Sequence, residues 1–242
     1  MSGLTEFPTP SFSKNVIVIV GGFGSGKSEV SVNLARLLAR TGTDPVAIAD
    51  LDIVNPYFRS REAAAMLAAL GVKSLIPEGA FGMADLPIIV PEVKTAIQRA
   101  EGKLILDVGG DDIGARVLSS LADAFTPGQY EMLLTLNAYR PFTADVAGTL
   151  TMMEEIETAG QLKFTGLISN SHLIELTTVA EIQHGIDLAR KVSDQTGLPI
   201  CFVSAVESVA RQLDRRSVPY PLLAIDRSLL KPWERSASTG TS

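Results

Sequence analysis

Apolar residues fall in short blocks along this chain, and the spacing within them switches between two patterns. Val16-Ile17-Val18-Ile19-Val20 is an unbroken β-branched run. Without polar alternation it suits a strand buried on both faces, as in a parallel sheet. Over 27–40, Val30, Leu34, Leu37 and Leu38 recur at helical spacing. Strand-like runs return at 46–49, 103–106, 131–135, 164–168 and 200–203, with a weaker one at 72–76. Helical stretches are predicted near 60–70, 87–100, 113–124, 143–159, 174–195 and 206–213. This alternation predicts a single doubly wound α/β domain, a mostly parallel β-sheet with helices on both faces. Residues 1–14 read as a flexible arm, 15–235 as the domain and 236–242 as a disordered Ser/Thr/Gly-rich tail.

Composition narrows the function classes. Hydrophobic residues are 46% of the 242 positions and charged residues 20%, an ordinary globular balance. A net charge of −6 supplies no global field toward nucleic acid or anionic lipid, so a nucleic-acid partner is disfavoured. One cysteine, Cys201, excludes an internal disulfide, and with only His172 and His184 beside it a structural zinc site is disfavoured too. The first residues lack a basic segment followed by an apolar one, and no apolar run approaches the ~20 residues needed to span a bilayer. The expected compartment is the cytoplasm.

The chemistry begins at Gly21-Gly22-Phe23-Gly24-Ser25-Gly26-Lys27-Ser28, which matches the phosphate-binding loop G-x-x-x-x-G-K-[ST] between a buried strand and an amphipathic helix. Glycines let the backbone turn its N–H groups toward a phosphate, and the following helix adds the partial positive charge of its N-terminus. Lys27 is expected to reach the β- and γ-phosphates, and Ser28 to ligate magnesium. Asp107 follows a strand-like run and precedes Val108-Gly109-Gly110. It suits magnesium or a magnesium-bound water, with Gly110 N–H directed at a γ-phosphate. Either Asp111 or Asp112 suits a helix cap. Asp50 and Asp52 close another run, and acids spaced by one point to the same side of an extended chain. Asp50 is assigned to magnesium through water, and Asp52 to orienting the attacking water.

The order of these segments, the loop, then Asp50-Leu51-Asp52-Ile53, Asp107-Val108-Gly109-Gly110 and Gly166-Leu167-Ile168-Ser169-Asn170, resembles the MinD/ParA/CobQ-like group of P-loop ATPases, to which the nitrogenase iron protein also belongs. The resemblance covers about 15–215. It implies that Asp52 positions water, that Asp50 is its magnesium-side neighbour, that Asn170 hydrogen-bonds adenine and that the segment 204–207, after the last strand, lies over the base. It also implies a homodimer closing face to face over two ATP molecules, whose hydrolysis switches an unidentified protein partner. Two departures stand out. Gly22 occupies the position of the family's second loop lysine, a role that Arg59 or Arg61 is placed to take. The iron protein's cluster cysteines are absent.

Guanine readers of related fold use Asn-Lys-x-Asp, and Ser169-Asn170-Ser171-His172 has only the Asn, which favours ATP. His172 is placed either to stack on the base or, as is commoner for such a histidine, to sit in a surface loop. The segment 53–62 mixes aromatics with arginines and suits a partner surface, and 77–91 suits a mobile loop over the site. The apolar residues Leu222 to Ile225, Leu229, Leu230 and Trp233 suit core burial better than a membrane-surface element. The leading expectation is a Mg-ATPase acting as a switch or assembly factor for a metalloenzyme or corrinoid protein. The alternatives are an ATP-dependent ligase or kinase on a small molecule, as in dethiobiotin synthetase-like and cobyrinate-amidating relatives, and a non-catalytic nucleotide-binding module.

Overall fold

Strand β1 (Val16–Gly21) lies near the middle of the sheet, and its alternate residues enter two different cores. Val16, Val18 and Val20 join one hydrophobic cluster, and Ile17 and Ile19 join another on the opposite face. This is why the run carries no polar alternation, since each fully buried side chain contributes roughly 1.5–3 kcal/mol. A computed structural model describes residues 7–52, 61–75, 86–99 and 101–227, without the side chains of 61–64 and 86–90.

Among the described residues, eight parallel strands are ordered β3-β2-β4-β1-β5-β6-β7-β8. The others are β2 (Val46–Asp50), β3 (Val72–Ser74), β4 (Lys103–Gly109), β5 (Tyr130–Leu136), β6 (Gly166–Ser169), β7 (Ile200–Val206) and β8 (Leu222–Ile225). The helices are α1 (Lys27–Thr41), α2 (Arg61–Ala69), α3 (Leu86–Arg99), α4 (Asp112–Leu121), α5 (Val146–Gly160), α6 (Val179–Thr196) and the single turn α7 (Glu207–Ala210). Helix α1 buries Val30, Leu34 and Leu38 against the face that carries Ile17, Ile105 and Phe202. Residues Val117, Leu118 and Leu121 of α4 and Met152, Met153 and Ile156 of α5 cover the other face. The expected doubly wound α/β architecture is the observed one.

Several boundaries differ from the sequence reading. Strand β4 does not stop before Asp107 but continues to Gly109, because Val108 and Gly109 pair with Val20 and Gly21 of β1. The stretch 174–178 is not the start of a long helix; a 3-10 turn at Ile174–Leu176 precedes α6, which begins at the capping box of Thr178 and Glu181. The segment 204–207 does not follow the last strand, since Ser204 and Val206 belong to β7 and β8 comes later. Leu222 to Ile225 form β8 against β7, which realises the core reading of that run. Within 7–14, Phe7 is buried and Phe12 meets the Phe202 ring edge-on at 6.2 Å. Lys103 Nζ donates to the carbonyls of Phe12 and Lys14, at 2.9 Å each. These contacts hold the described part of the N-terminal segment to the sheet.

Candidate functional site

The phosphate loop joins the end of β1 to the start of α1. Gly26 occupies the N-cap position of α1 with φ 82°, and no side chain caps the helix. The helix N-terminus is therefore left open for an anion. A Cβ at Gly26 would lie 2.4 Å from Asn170 Nδ2 and 3.0 Å from His172 Nε2, so conformation and space both require glycine there. Ser25 N donates to Gly22 O at 3.0 Å and tightens the turn. Phe23 is 82% exposed at the loop apex, so its place in the loop is a backbone one.

The acids chosen from the sequence converge on this loop. Lys27 Nζ forms a buried ion pair with Asp52 Oδ2 at 2.6 Å. Ser28 Oγ donates to Asp107 Oδ2 at 2.5 Å. Asp50 is the register partner of Asp107 across β2 and β4, and its Oδ1 accepts from Asp52 N at 3.1 Å. Burial pulls the Lys27 ammonium down, but the carboxylates of Asp107, Asp52 and Asp50 outweigh it and hold Lys27 above its ordinary value. Burial pushes the Asp107 carboxyl up to about 6, against the Lys27 charge and the Ser28 hydroxyl. Asp111, by contrast, caps α4 by accepting from Gly114 N at 2.8 Å.

The donor set fits magnesium. Asp107 Oδ1 is buried with no hydrogen-bond partner beside a serine hydroxyl, and hard oxygen donors suit that ion. Among the described residues there is no group of three or more His, Cys, Asp or Glu side chains able to hold a metal.

Gly110 follows β4 and touches the loop directly. A Cβ there would lie 2.6 Å from Gly21 C and 2.7 Å from Gly22 N. Gly110→Ala must displace loop backbone, at about 1–3 kcal/mol of overpacking. It is expected to weaken binding of a non-hydrolysable triphosphate by about tenfold. Calorimetric titration of the variant checks this, and an unchanged affinity contradicts it.

Chain comparisons locate this arrangement among known folds. No protein-family model matches the chain, and no curated protein matches it in sequence. Solved structures do match. Chloroplast FtsY from Physcomitrella patens superposes with a TM-score of 0.56 at 18% identity, covering 88% of this chain and 68% of that one. The fold is shared with FtsY. Cell division protein FtsY from Thermotoga maritima gives a TM-score of 0.54 at 17% identity, covering 87% of this chain and 69% of that one. The signal recognition particle receptor FtsY from Elizabethkingia anophelis, in complex with GDP, gives 0.52 at 19%, covering 83% and 60%. The chain thus spans roughly two thirds of the length of these FtsY structures, and it has a P-loop nucleoside-triphosphatase fold.

The sequence reading missed a bracket that holds the loop from the other side. Arg140 Nε donates to Gly24 O at 2.7 Å, and Asn137 Nδ2 to the same carbonyl at 3.4 Å. Asn170 Nδ2 donates to Ser25 O at 2.7 Å, and Asn170 Oδ1 accepts from Ser204 Oγ at 2.7 Å. One donor and one acceptor position of Asn170 remain for a ligand. The available signal for Asn137 and Arg140 was position: both follow the C-terminal end of β5, the strand beside β1.

His172 is half-buried in this bracket, with its Nε2 atom buried. Burial, then the charges of Arg140 and Arg227, push its imidazole down to about 4. The unfolded chain therefore binds a proton between about pH 6.5 and 4 that the native ring refuses. Native stability on this account falls as pH drops through that window, by up to about 3 kcal/mol. Asp107 acts in the opposite sense, because its raised carboxyl gains a proton as pH falls through about 6. Comparing denaturant unfolding of the wild type and His172→Gln from pH 7 to 4.5 isolates the histidine. The wild type is expected to lose more stability than the variant, and equal losses contradict the assignment.

Arg59, with the rest of 53–60, and residues 77–85 of the expected loop 77–91 lie outside the described residues, as do Leu229, Leu230, Trp233 and the tail 236–242; residues 86–91 of that expected loop are helical instead, the first turns of α3. Arg61 begins α2, with its side chain outside the description. Among the described residues no helix is long and apolar enough to cross a membrane.

Proposed function

We propose that this chain is a magnesium-dependent nucleoside triphosphatase that hydrolyses ATP and acts as a nucleotide-driven switch. The observation that carries the reading is the pair of buried contacts at one helix N-terminus, Lys27 with Asp52 and Ser28 with Asp107. The lysine is paired with the acid that hydrolysis needs. A β,γ-phosphate pair arriving over the loop offers Lys27 a stronger anionic partner. Asp52 is then released to accept a hydrogen bond from the attacking water, while Ser28, Asp107 and a water held by Asp50 would provide oxygen donors for magnesium. Bound there, magnesium would supply neutralisation of the phosphate charge. Gly110, packed on the loop, offers the backbone N–H that senses the γ-phosphate, and Asp52 leads directly into 53–60. The switch reading follows from that exchange of partners at Lys27, with closure against a second copy and signalling to a protein partner as its outputs.

ATP is favoured over GTP by the cleft beside Asn170. A guanine reader needs an acceptor for the base's N1–H and exocyclic amine. Leu173 stands three residues after Asn170, where such a reader carries its Asp. The cleft's carboxylate Glu29 accepts from Arg227 Nε at 3.5 Å, and nearby Glu175 accepts from Arg227 Nη1 at 2.5 Å. The GDP of the Elizabethkingia anophelis structure makes GTP the nucleotide to compete against. Phosphate release measured with Mg-ATP and Mg-GTP over matched concentrations tests the reading. Faster turnover of ATP is expected, and turnover of GTP alone contradicts the base assignment.

A further inference from the structure

We propose that His172 is a nucleoside-contacting residue whose imidazole Nε2 hydrogen-bonds the sugar–base half of the bound nucleotide, so that the site distinguishes a nucleotide from a bare polyphosphate. The inference rests on the nucleotide reading above and assigns a residue to the half of the ligand that the phosphate loop cannot recognise.

The position of the ring is the first argument. Nε2 lies 3.0 Å from where a Cβ on Gly26 would stand, immediately before Lys27. The same side chain lines the cleft that opens between the ends of β6 and β7, with Asn170, Ile174, Ser204 and Arg227. His172 therefore stands where the phosphate loop meets the cleft, which is where the sugar leaves the α-phosphate.

Elimination among the cleft's polar side chains is the second. Ser204 Oγ donates to Asn170 Oδ1, and Ser171 Oγ accepts from Ala138 N at 2.9 Å. Thr177 Oγ1 accepts from Leu173 N and donates to Ile174 O, at 2.9 and 2.7 Å. Arg227 is held by Glu29 and Glu175. His172 Nε2 is the buried polar atom of this lining that has no hydrogen-bond partner. An unsatisfied buried polar atom is destabilising, and a ligand hydrogen bond removes that cost.

Charge and backbone select the kind of ligand group. Burial and the neighbouring arginines keep the ring uncharged at neutral pH, and a neutral imidazole meets a hydroxyl or a ring nitrogen better than it meets phosphate. Two residues on, β-branched Ile174 holds φ 56°, an uncommon conformation for its type, and leaves its apolar side chain 49% exposed at the cleft. An apolar face beside a neutral hydrogen-bonding group suits a base and sugar.

The test measures binding of a non-hydrolysable Mg-ATP analogue and of inorganic tripolyphosphate to the wild type, His172→Ala and His172→Gln. His172→Ala is expected to weaken the analogue by about fivefold or more, the loss of one net hydrogen bond, and to leave tripolyphosphate unchanged. His172→Gln, which places an amide near the lost Nε2, is expected to restore most of the affinity. Inosine and 2′-deoxy forms of the analogue then separate base from sugar, because the contacted half is the one whose alteration erases the difference between wild type and His172→Ala. Unchanged analogue affinity in His172→Ala overturns the proposal, as does an equal loss for tripolyphosphate. Wild-type protein that binds neither ligand overturns the nucleotide reading itself and this inference with it.

Discussion

Lys27→Met is expected to weaken triphosphate binding by about 10²-fold or more, the scale of a charge-assisted contact of roughly 3 kcal/mol. The same substitution is expected to destabilise the ligand-free protein. Lys27 is the buried counter-ion of Asp52 at 2.6 Å, so its removal leaves an uncompensated carboxylate inside the fold. Breaking such a pair from one side costs about 3–5 kcal/mol. The two losses have different origins and can be separated. Adding Asp52→Leu removes both charges together, and replacing a buried pair with apolar groups is often neutral for stability. The double variant is therefore expected to recover most of the unfolding free energy while its affinity stays lost. Denaturant unfolding and calorimetric titration of the single and double variants decide it. A double variant no more stable than Lys27→Met contradicts the buried-pair account.

Asp52→Asn separates binding from turnover. The amide keeps the shape of the side chain and loses the charge that orients and polarises water. Turnover is expected to fall by about 10²–10³-fold, the usual scale for removing one such group. Affinity for a non-hydrolysable analogue is expected to be kept or to tighten, because Asp52 competes with phosphate for the Lys27 ammonium. Single-turnover phosphate release together with analogue titration checks both halves. Unchanged turnover removes Asp52 from the chemistry, and weakened analogue binding contradicts the competition between carboxylate and phosphate.

The parts of this site legible in the sequence are those in which local pattern and function coincide. The run Val16 to Val20 is apolar on both faces because both faces are buried, and the loop motif is itself the turn between β1 and α1. Asp50, Asp52 and Asp107 were legible because a parallel sheet brings strand ends to one edge, and the register of Asp50 with Asp107 is that juxtaposition. The continuation of β4 through Asp107 was not, because Val108-Gly109 reads locally as the start of a turn, and pairing with β1 is what keeps it extended. Strand β8 was read only as a short apolar run, since four residues after Pro221 carry no periodicity that separates a strand from other buried segments. The grip of Arg140 on Gly24 joins residues 116 apart, and no local spacing encodes a contact of that range. His172 looked like a surface-loop residue because the buried setting of its ring comes from the phosphate loop and the β5 loop beside it.

On the proposed reading, Lys27, Ser28, Asp52 and Asp107 form a magnesium-dependent ATP-hydrolysing site. Steady-state phosphate release from ATP, with magnesium present and then chelated, tests it most directly when wild type and Asp52→Asn are run side by side. Release by the wild type is expected to stop on chelation and to be lower by about 10²-fold or more in the variant. Equal release by the two proteins, or release indifferent to magnesium, contradicts it.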